Sequence, residues 1–139
     1  MTVKFTIPGE PTGKGRPRFF NRGGKVMAHT PDETVVYENL IRLEYQRQCG
    51  KKRFEDNAML DLQIIAYYAI PESASKKKKA AMENGEIRPT KKPDADNVLK
   101  VVADSLNQLA YRDDAQVVDT QFRKFYSRQP RLEVTIQNV

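Results

Sequence analysis

The chain opens on an alternation. Val3, Phe5 and Ile7 are apolar while Thr2, Lys4 and Thr6 are polar, which predicts a strand with one buried face. Pro8-Gly9-Glu10-Pro11 ends it. Phe19-Phe20 and Lys25 to Ala28 flank Asn21-Arg22-Gly23-Gly24, the pattern of a hairpin. The period then changes. Thr30-Pro31-Asp32-Glu33 is a helix start, with Thr30 as cap, Pro31 in the first helical position and Glu33 closing a capping box. Val36, Leu40 and Leu43 recur at helical spacing and Gly50 is a stop, so the spacing predicts a helix from about Pro31 to Cys49.

Leu60, Leu62, Ile64, Ala66, Tyr68 and Ile70 alternate through the longest strand candidate. Met59, Ile65, Tyr67 and Ala69 are apolar on its other face, which predicts a central strand covered on both sides. Ser73 or Ser75 caps a short helix through Ala80-Ala81-Met82 that Gly85 ends. A further helix is expected to begin near Asp96 or Asn97, with Leu99, Val102, Leu106 and Leu109 as its buried stripe. Gln116 to Tyr126 reads as a strand, and Leu132, Val134 and Ile136 alternate in a last one. The order β, hairpin, α, β, α, α, β, β predicts an α/β (α+β) domain with a mixed sheet flanked by helices. At 139 residues the chain forms one domain, 1–139, long enough to bury its own core.

Composition narrows the chemistry. Cys49 is the only cysteine and His29 the only histidine. An internal disulfide, a thiolate or imidazole zinc site and a Ser-His-Asp triad are therefore disfavoured. A resident metal should be hard and oxygen-ligated, Mg²⁺ or Mn²⁺. No stretch approaches the ~20 apolar residues of a membrane span. The opening residues carry no signal-peptide pattern, so a cytoplasmic location and no membrane partner are expected.

The net charge of +6 is unevenly spread. Residues 1–53 carry +6, 54–75 carry −4, 76–92 carry +5, 93–119 carry −4 and 120–139 carry +3. A solvated surface accommodates such alternation. So does a phosphate-binding surface around an acidic site. Lys14, Arg16 and Arg18 in a basic turn, and the run Lys76, Lys77, Lys78 and Lys79, are the candidate phosphate contacts. Four cations on the first turns of a helix oppose its dipole, which favours a ligand-facing role for that run. Phe19 and Phe20 beside Arg16 and Arg18 fit either base stacking or a hairpin core. His29 reads as a loop or hairpin residue, Cys49 as inert, and Tyr67 and Tyr68 as core.

The acidic segment holds the chemistry. Asp94, Asp96, Asp104, Asp113 and Asp114 fall within 21 residues, with Lys100 among them. Asp96, Lys100 and Asp104 recur one helical turn apart and share a face, rotated away from the apolar stripe. Asp113-Asp114 follows in a loop that can return a carboxylate to the site. Asp94, Asp96 and one of Asp113 and Asp114 are candidate metal ligands, with Lys100 as their electrostatic partner. Phosphodiester hydrolysis needs such a set: carboxylates to hold the cation, and the cation to acidify water and neutralise developing charge. Each piece also has a plain structural reading, as a helix cap, a Lys100–Asp104 bridge or a polar turn. Together those readings leave the repulsion among the acids uncompensated. A calcium EF-hand loop starting at Asp94 fails, because its sixth position is Leu99 and its twelfth Ser105.

Lys92-Pro93-Asp94-Ala95-Asp96-Asn97-Val98-Leu99-Lys100, Asp104-Ser105-Leu106-Asn107 and Asp113-Asp114-Ala115-Gln116-Val117 together resemble the RusA family of Holliday junction resolvases. Ile7-Pro8-Gly9-Glu10-Pro11, Lys14-Gly15-Arg16-Pro17-Arg18-Phe19 and Ser75-Lys76-Lys77-Lys78-Lys79 extend the resemblance over nearly the whole chain. It implies a homodimeric, Mg²⁺-dependent endonuclease that nicks four-way junction DNA in pairs, of bacterial, phage or prophage origin. It implies catalytic and metal-binding roles for Asp94, Asp96 and Asp114, a catalytic role for Lys100, and Asp113 as the alternative to Asp114. A nuclease for other branched DNA, or a non-catalytic DNA-binding module with a structural cation, fits the same residues.

Overall fold

The structure is a computed structural model and describes residues 1–139. Its elements run β1 (Thr2–Pro8), β2 (Arg18–Arg22), β3 (Lys25–His29), α1 (Asp32–Cys49), β4 (Leu60–Ala69), α2 (Lys76–Glu83), α3 (Ala95–Ser105), β5 (Val117–Ser127) and β6 (Arg131–Asn138). The order expected from the sequence is the order observed. A short 3₁₀ turn, Asp114–Gln116, leads into β5.

Four strands form one sheet in the order β1-β6-β4-β5. β6 is antiparallel to both β1 and β4, whereas β5 is parallel to β4, so the sheet is mixed and the domain is α+β. Parallel neighbours require a long crossover. Here the crossover from β4 to β5 contains α2, α3 and the acidic segment. β2 and β3 pair only with each other, in a separate ribbon.

The core fills the face that carries Val3, Phe5 and Ile7 on β1, Leu62, Ile64, Ala66 and Tyr68 on β4, and Leu132, Val134 and Ile136 on β6. The registers Phe5↔Val134 and Ile64↔Val134 align these alternations across three strands. α1 and α3 close over this face and contact each other. Phe5 meets Tyr45 of α1 edge-on, with ring centroids 5.3 Å apart.

Three expectations are corrected. β4 is fully buried on one face only. Ile65 and Tyr67 on the other are half-buried, because side chains rather than a second core cover them. Arg131 lies 3.9 Å over the Tyr67 ring, and Arg88 lies 4.2 Å over neighbouring Phe125. The stripe expected on α1 also points elsewhere. Val36 and Leu43 are 67% and 59% exposed, and the buried line is Tyr37, Ile41, Tyr45 and Cys49. The chain offers two stripes at helical spacing, and the one with two aromatic rings buries more surface. Finally, Pro31 rather than Thr30 occupies the cap of α1, with no side-chain cap bond, so the capping box does not form.

α3 starts at Ala95, with Asp94 in the cap position. Val98, Val101, Val102 and Ser105 are its buried residues, and Leu99 is only half-buried; of the expected stripe, Leu106 and Leu109 lie past the helix end, buried and half-buried respectively. α2 begins as expected, with the Ser75 hydroxyl accepting the Lys78 N–H at 3.2 Å.

Candidate active site

Three separate stretches of chain meet along α3. The first follows β1. A Cβ on Gly13 would stand 3.0 Å from the Asn97 Cβ and 3.1 Å from the Pro93 Cβ. A Cβ on Gly15 would stand 2.8 Å from the Thr34 hydroxyl and 2.9 Å from Pro31. A Cβ at either position would force these neighbours to shift. The Lys14 N–H donates to the Asn97 carbonyl (3.2 Å) and the Gly15 N–H to Thr34 Oγ1 (2.9 Å). The segment thus threads between the starts of α1 and α3, and the Lys14 ammonium forms an ion pair with Asp104.

The second stretch is α3 itself. Val98, Val101 and Val102 face the core, so its polar face is held rigidly at the surface. Asp94 accepts a hydrogen bond from Asn97 Nδ2 at 2.7 Å. Asp96, Lys100 and Asp104 share one groove of about 410 Å³. The three charged residues share a face as the sequence predicts, but Leu99, expected in the buried stripe, borders the same groove beside Ala103.

The third stretch is the loop after α3. The Asp114 N–H donates to Asn107 Oδ1 (2.7 Å), and Asn107 Nδ2 donates back to Asp114 Oδ2 (3.3 Å). These two hydrogen bonds to one amide hold the Asp114 carboxylate against that of Asp104. Asp113 is engaged elsewhere: it accepts the Ala115 N–H (3.1 Å) and forms a capping box with Gln116. Asp114, and not Asp113, lines the groove, beside Leu62, Leu99, Ala103 and Val117.

The five aspartates do not gather at one point. Asp94 faces a neighbouring groove of about 620 Å³, with Lys14, Arg16, Lys92 and Asn97. No three carboxylates are close enough to form a ready cluster for one ion. Lys14, expected on the DNA surface, is turned inward onto Asp104, and its side chain is 28% exposed. Arg16 borders the Asp94 groove, Arg18 lies on the ribbon, and Lys76 to Lys78 are exposed on the first turns of α2 with Lys79 half-buried.

The electrostatics single out one pair. Burial pushes the Asp114 carboxyl up, the adjacent Asp104 carboxylate pushes it further, and it sits above the usual range. Asp104 is also pushed up by burial, but its bond to Lys14 and the Lys14 and Lys100 charges outweigh this and hold it below the usual range. The same bond raises the Lys14 ammonium. Two touching carboxylates carry surplus negative charge, which a proton or a hard cation relieves.

Several participants were not visible as such in the sequence. Lys14 and Asn107 are two of them. On the far side of the α3 start, the Tyr68 hydroxyl donates to the Pro93 carbonyl (2.6 Å) and anchors the segment that carries Asp94. Lys124 donates to the Lys91 carbonyl (2.6 Å) and lies 5.0 Å over the Tyr68 ring. Burial lowers its ammonium, and the Asp94 charge opposes that shift. The glycines flanking Lys14 mark a close backbone approach, and Asn107 stands in the Asp104-Ser105-Leu106-Asn107 motif, but neither signal gave the partner.

This geometry sits on a chain whose residues 8–137 match the family described as Endodeoxyribonuclease RusA. The chain belongs to the RusA endodeoxyribonuclease family. It is 42% identical over 139 residues to the uncharacterized protein YqaN of Bacillus subtilis (strain 168), covering 99% of this chain and 96% of that one. It is 29% identical over 127 residues to the crossover junction endodeoxyribonuclease rusA of Lactococcus phage r1t, covering 91% and 82%. The RusA match spans every element except most of β1 and the end of β6. No helix is long and apolar enough to cross a membrane.

Proposed function

We propose that this RusA-family chain is a Mg²⁺-dependent endodeoxyribonuclease that resolves four-way DNA junctions by paired nicks. The match to the RusA family over residues 8–137 carries the reading. The crossover junction activity named for the phage relative supports the substrate, and that relative's source supports a phage or prophage origin.

The donor set fits a hard cation. It offers carboxylate oxygens without thiolate or imidazole, and Asp114 is held above its usual range by burial and a like charge. Asp96 and Asp114 would hold Mg²⁺ or Mn²⁺ from the groove they share, and Asp94, in the neighbouring groove, would act on it through the waters such an ion keeps, with Asp113 left to its capping role. Bound there, the cation supplies an acidified water and neutralises charge on the phosphorane-like transition state. Asp104 keeps Lys14 in place and adds to the negative potential that draws the ion in. Lys100, exposed on the groove wall, stabilises the charge that develops on the departing sugar oxygen. Hydrolysis joins the water oxygen to phosphorus and breaks one phosphorus–oxygen bond to a sugar, which leaves a nick.

Arg16, Arg18 and Lys76 to Lys79 contact phosphates, which position the junction without reading its sequence. A four-way junction is approximately two-fold symmetric, and a symmetric dimer presents two such sites to it. Purified protein with a mobile four-way junction and a matched linear duplex, in Mg²⁺ or EDTA, tests the reading on denaturing gels. Symmetric nicks confined to the junction and lost in EDTA are expected. Equal cutting of the duplex, or junction binding with no Mg²⁺-dependent nick, would refute it.

A further inference from the structure

The β2–β3 ribbon lies outside the carboxylate groove, and of its residues only Arg18 has been given a phosphate. Every residue of both strands is exposed. Its apolar side chains lie open to solvent, with Phe19 and Val26 each 72% exposed, Met27 45% and Phe20 43%. An isolated two-stranded ribbon is marginal in water, and it is usually held by something that covers it. Exposed apolar residues clustered on such an element mark a contact surface.

The register sorts the side chains into two faces. Pairing sets Phe19 opposite Ala28 and Asn21 opposite Val26, and these four share one face. Arg18, His29, Phe20, Met27, Arg22 and Lys25 share the other. One face is thus apolar and uncharged, with Phe19 and Val26 at its centre. The other sets an aromatic and a methionine among three cations. The ribbon, residues 18–29, carries three Lys or Arg and no acid, and Asp32 and Glu33 border only its base beside Arg18 and His29, so its charge suits a polyanion. The cationic face suits phosphates. The uncharged face suits the π-surface of a base, which has no charge to neutralise.

We infer that this ribbon is the branch-sensing arm of the enzyme: Phe19 stacks on a base that is unstacked at the junction centre, while Arg18, Arg22 and Lys25 hold the flanking phosphates. The inference rests on the proposed action on junction DNA. An intact duplex hides its base faces in the stack, whereas a branch point exposes them. Phe19 therefore contributes only on branched DNA, and the arginines contribute on any DNA. Phe19 is a specificity-determining residue and is separate from the carboxylate groove.

The test uses the full chain in EDTA, with a four-way junction carrying 2-aminopurine at the branch and a matched linear duplex. Wild type is expected to bind the junction more tightly and to change the 2-aminopurine emission. Phe19→Ala should weaken junction binding about tenfold, leave duplex binding unchanged and abolish the emission change. Phe19→Trp should restore both readouts. Arg22→Ala should weaken junction and duplex by the same factor. A Phe19→Ala variant that keeps its junction preference overturns the inference and leaves the functional reading intact. So does one that loses dimers by sedimentation, which would make the ribbon a subunit contact. A wild type with no junction preference overturns both.

Discussion

The carboxylate groove and the β2–β3 ribbon are built on opposite terms. Around the groove, each acid stands beside an element with a buried face, and three of them are tied by a named bond: Asp104 to Lys14, Asp114 to Asn107, Asp94 to Asn97. The ribbon has no buried residue. Chemistry needs fixed donors, because a small misplacement costs much of the rate. Recognition of a deformable polyanion tolerates, and benefits from, an arm that stands clear of the body. The difference predicts that damage to the two regions separates cleavage from binding.

The largest separation is expected from Asp96→Asn and Asp114→Asn. Each should lower the single-turnover nicking rate roughly 10³-fold, the loss when several kcal/mol of transition-state stabilisation is removed. Junction affinity by gel shift should stay within about twofold. Wild-type nicking by either variant would remove that residue from the ligand set. Lys100→Ala should follow, with turnover down by about 10²-fold and affinity little changed. Replacing Lys76 to Lys79 by alanine inverts the pattern. Affinity should fall about tenfold, the salt slope should drop by roughly one for each lysine that no longer neutralises a phosphate, and turnover of bound junction should hold. A pure turnover defect there would place the run in the chemistry.

The smallest effect is on stability, and it has a definite sign. The Asp114 carboxyl is raised in the folded chain by burial and by Asp104. Its contribution is therefore fully present below the ordinary carboxylate range and is lost as pH rises through its raised value. In EDTA, thermal melts should show Asp114→Asn a few degrees more stable than wild type at neutral pH, and level with it in acid. Mg²⁺ should raise the wild-type melting temperature and leave the variant's unchanged. A variant that melts lower at neutral pH would show that the Asp104–Asp114 contact is not repulsive.

Much of this molecule was legible from local pattern. Strict alternation placed β1, β4 and β6 and their buried faces, because a period of two leaves one choice of inward side. The Asp96–Lys100–Asp104 face followed from helical spacing alone. α1 was less transparent. Its Val36 line and its Tyr37–Ile41–Tyr45 line both satisfy the period, and tertiary packing chose between them. The Lys14–Asp104 pair was invisible, since the partners lie 90 residues apart and no periodicity links them. The division of Asp94 from Asp96 was also hidden. One residue is a cap in extended conformation and the next acid is already helical, so two near neighbours in sequence open onto different grooves.

The place of β6 sets the moment at which a newly made chain can become a nuclease. It is the last strand in order, yet it lies between β1 and β4. Until it leaves the ribosome, β1 has no neighbour in the sheet, and the Phe5 and Ile7 side chains lack their cross-strand partners Val134 and Leu132. The carboxylates are translated earlier, but the platform beneath α3 is incomplete. A nascent chain that carries every acid of the site therefore still lacks the sheet that holds them in place.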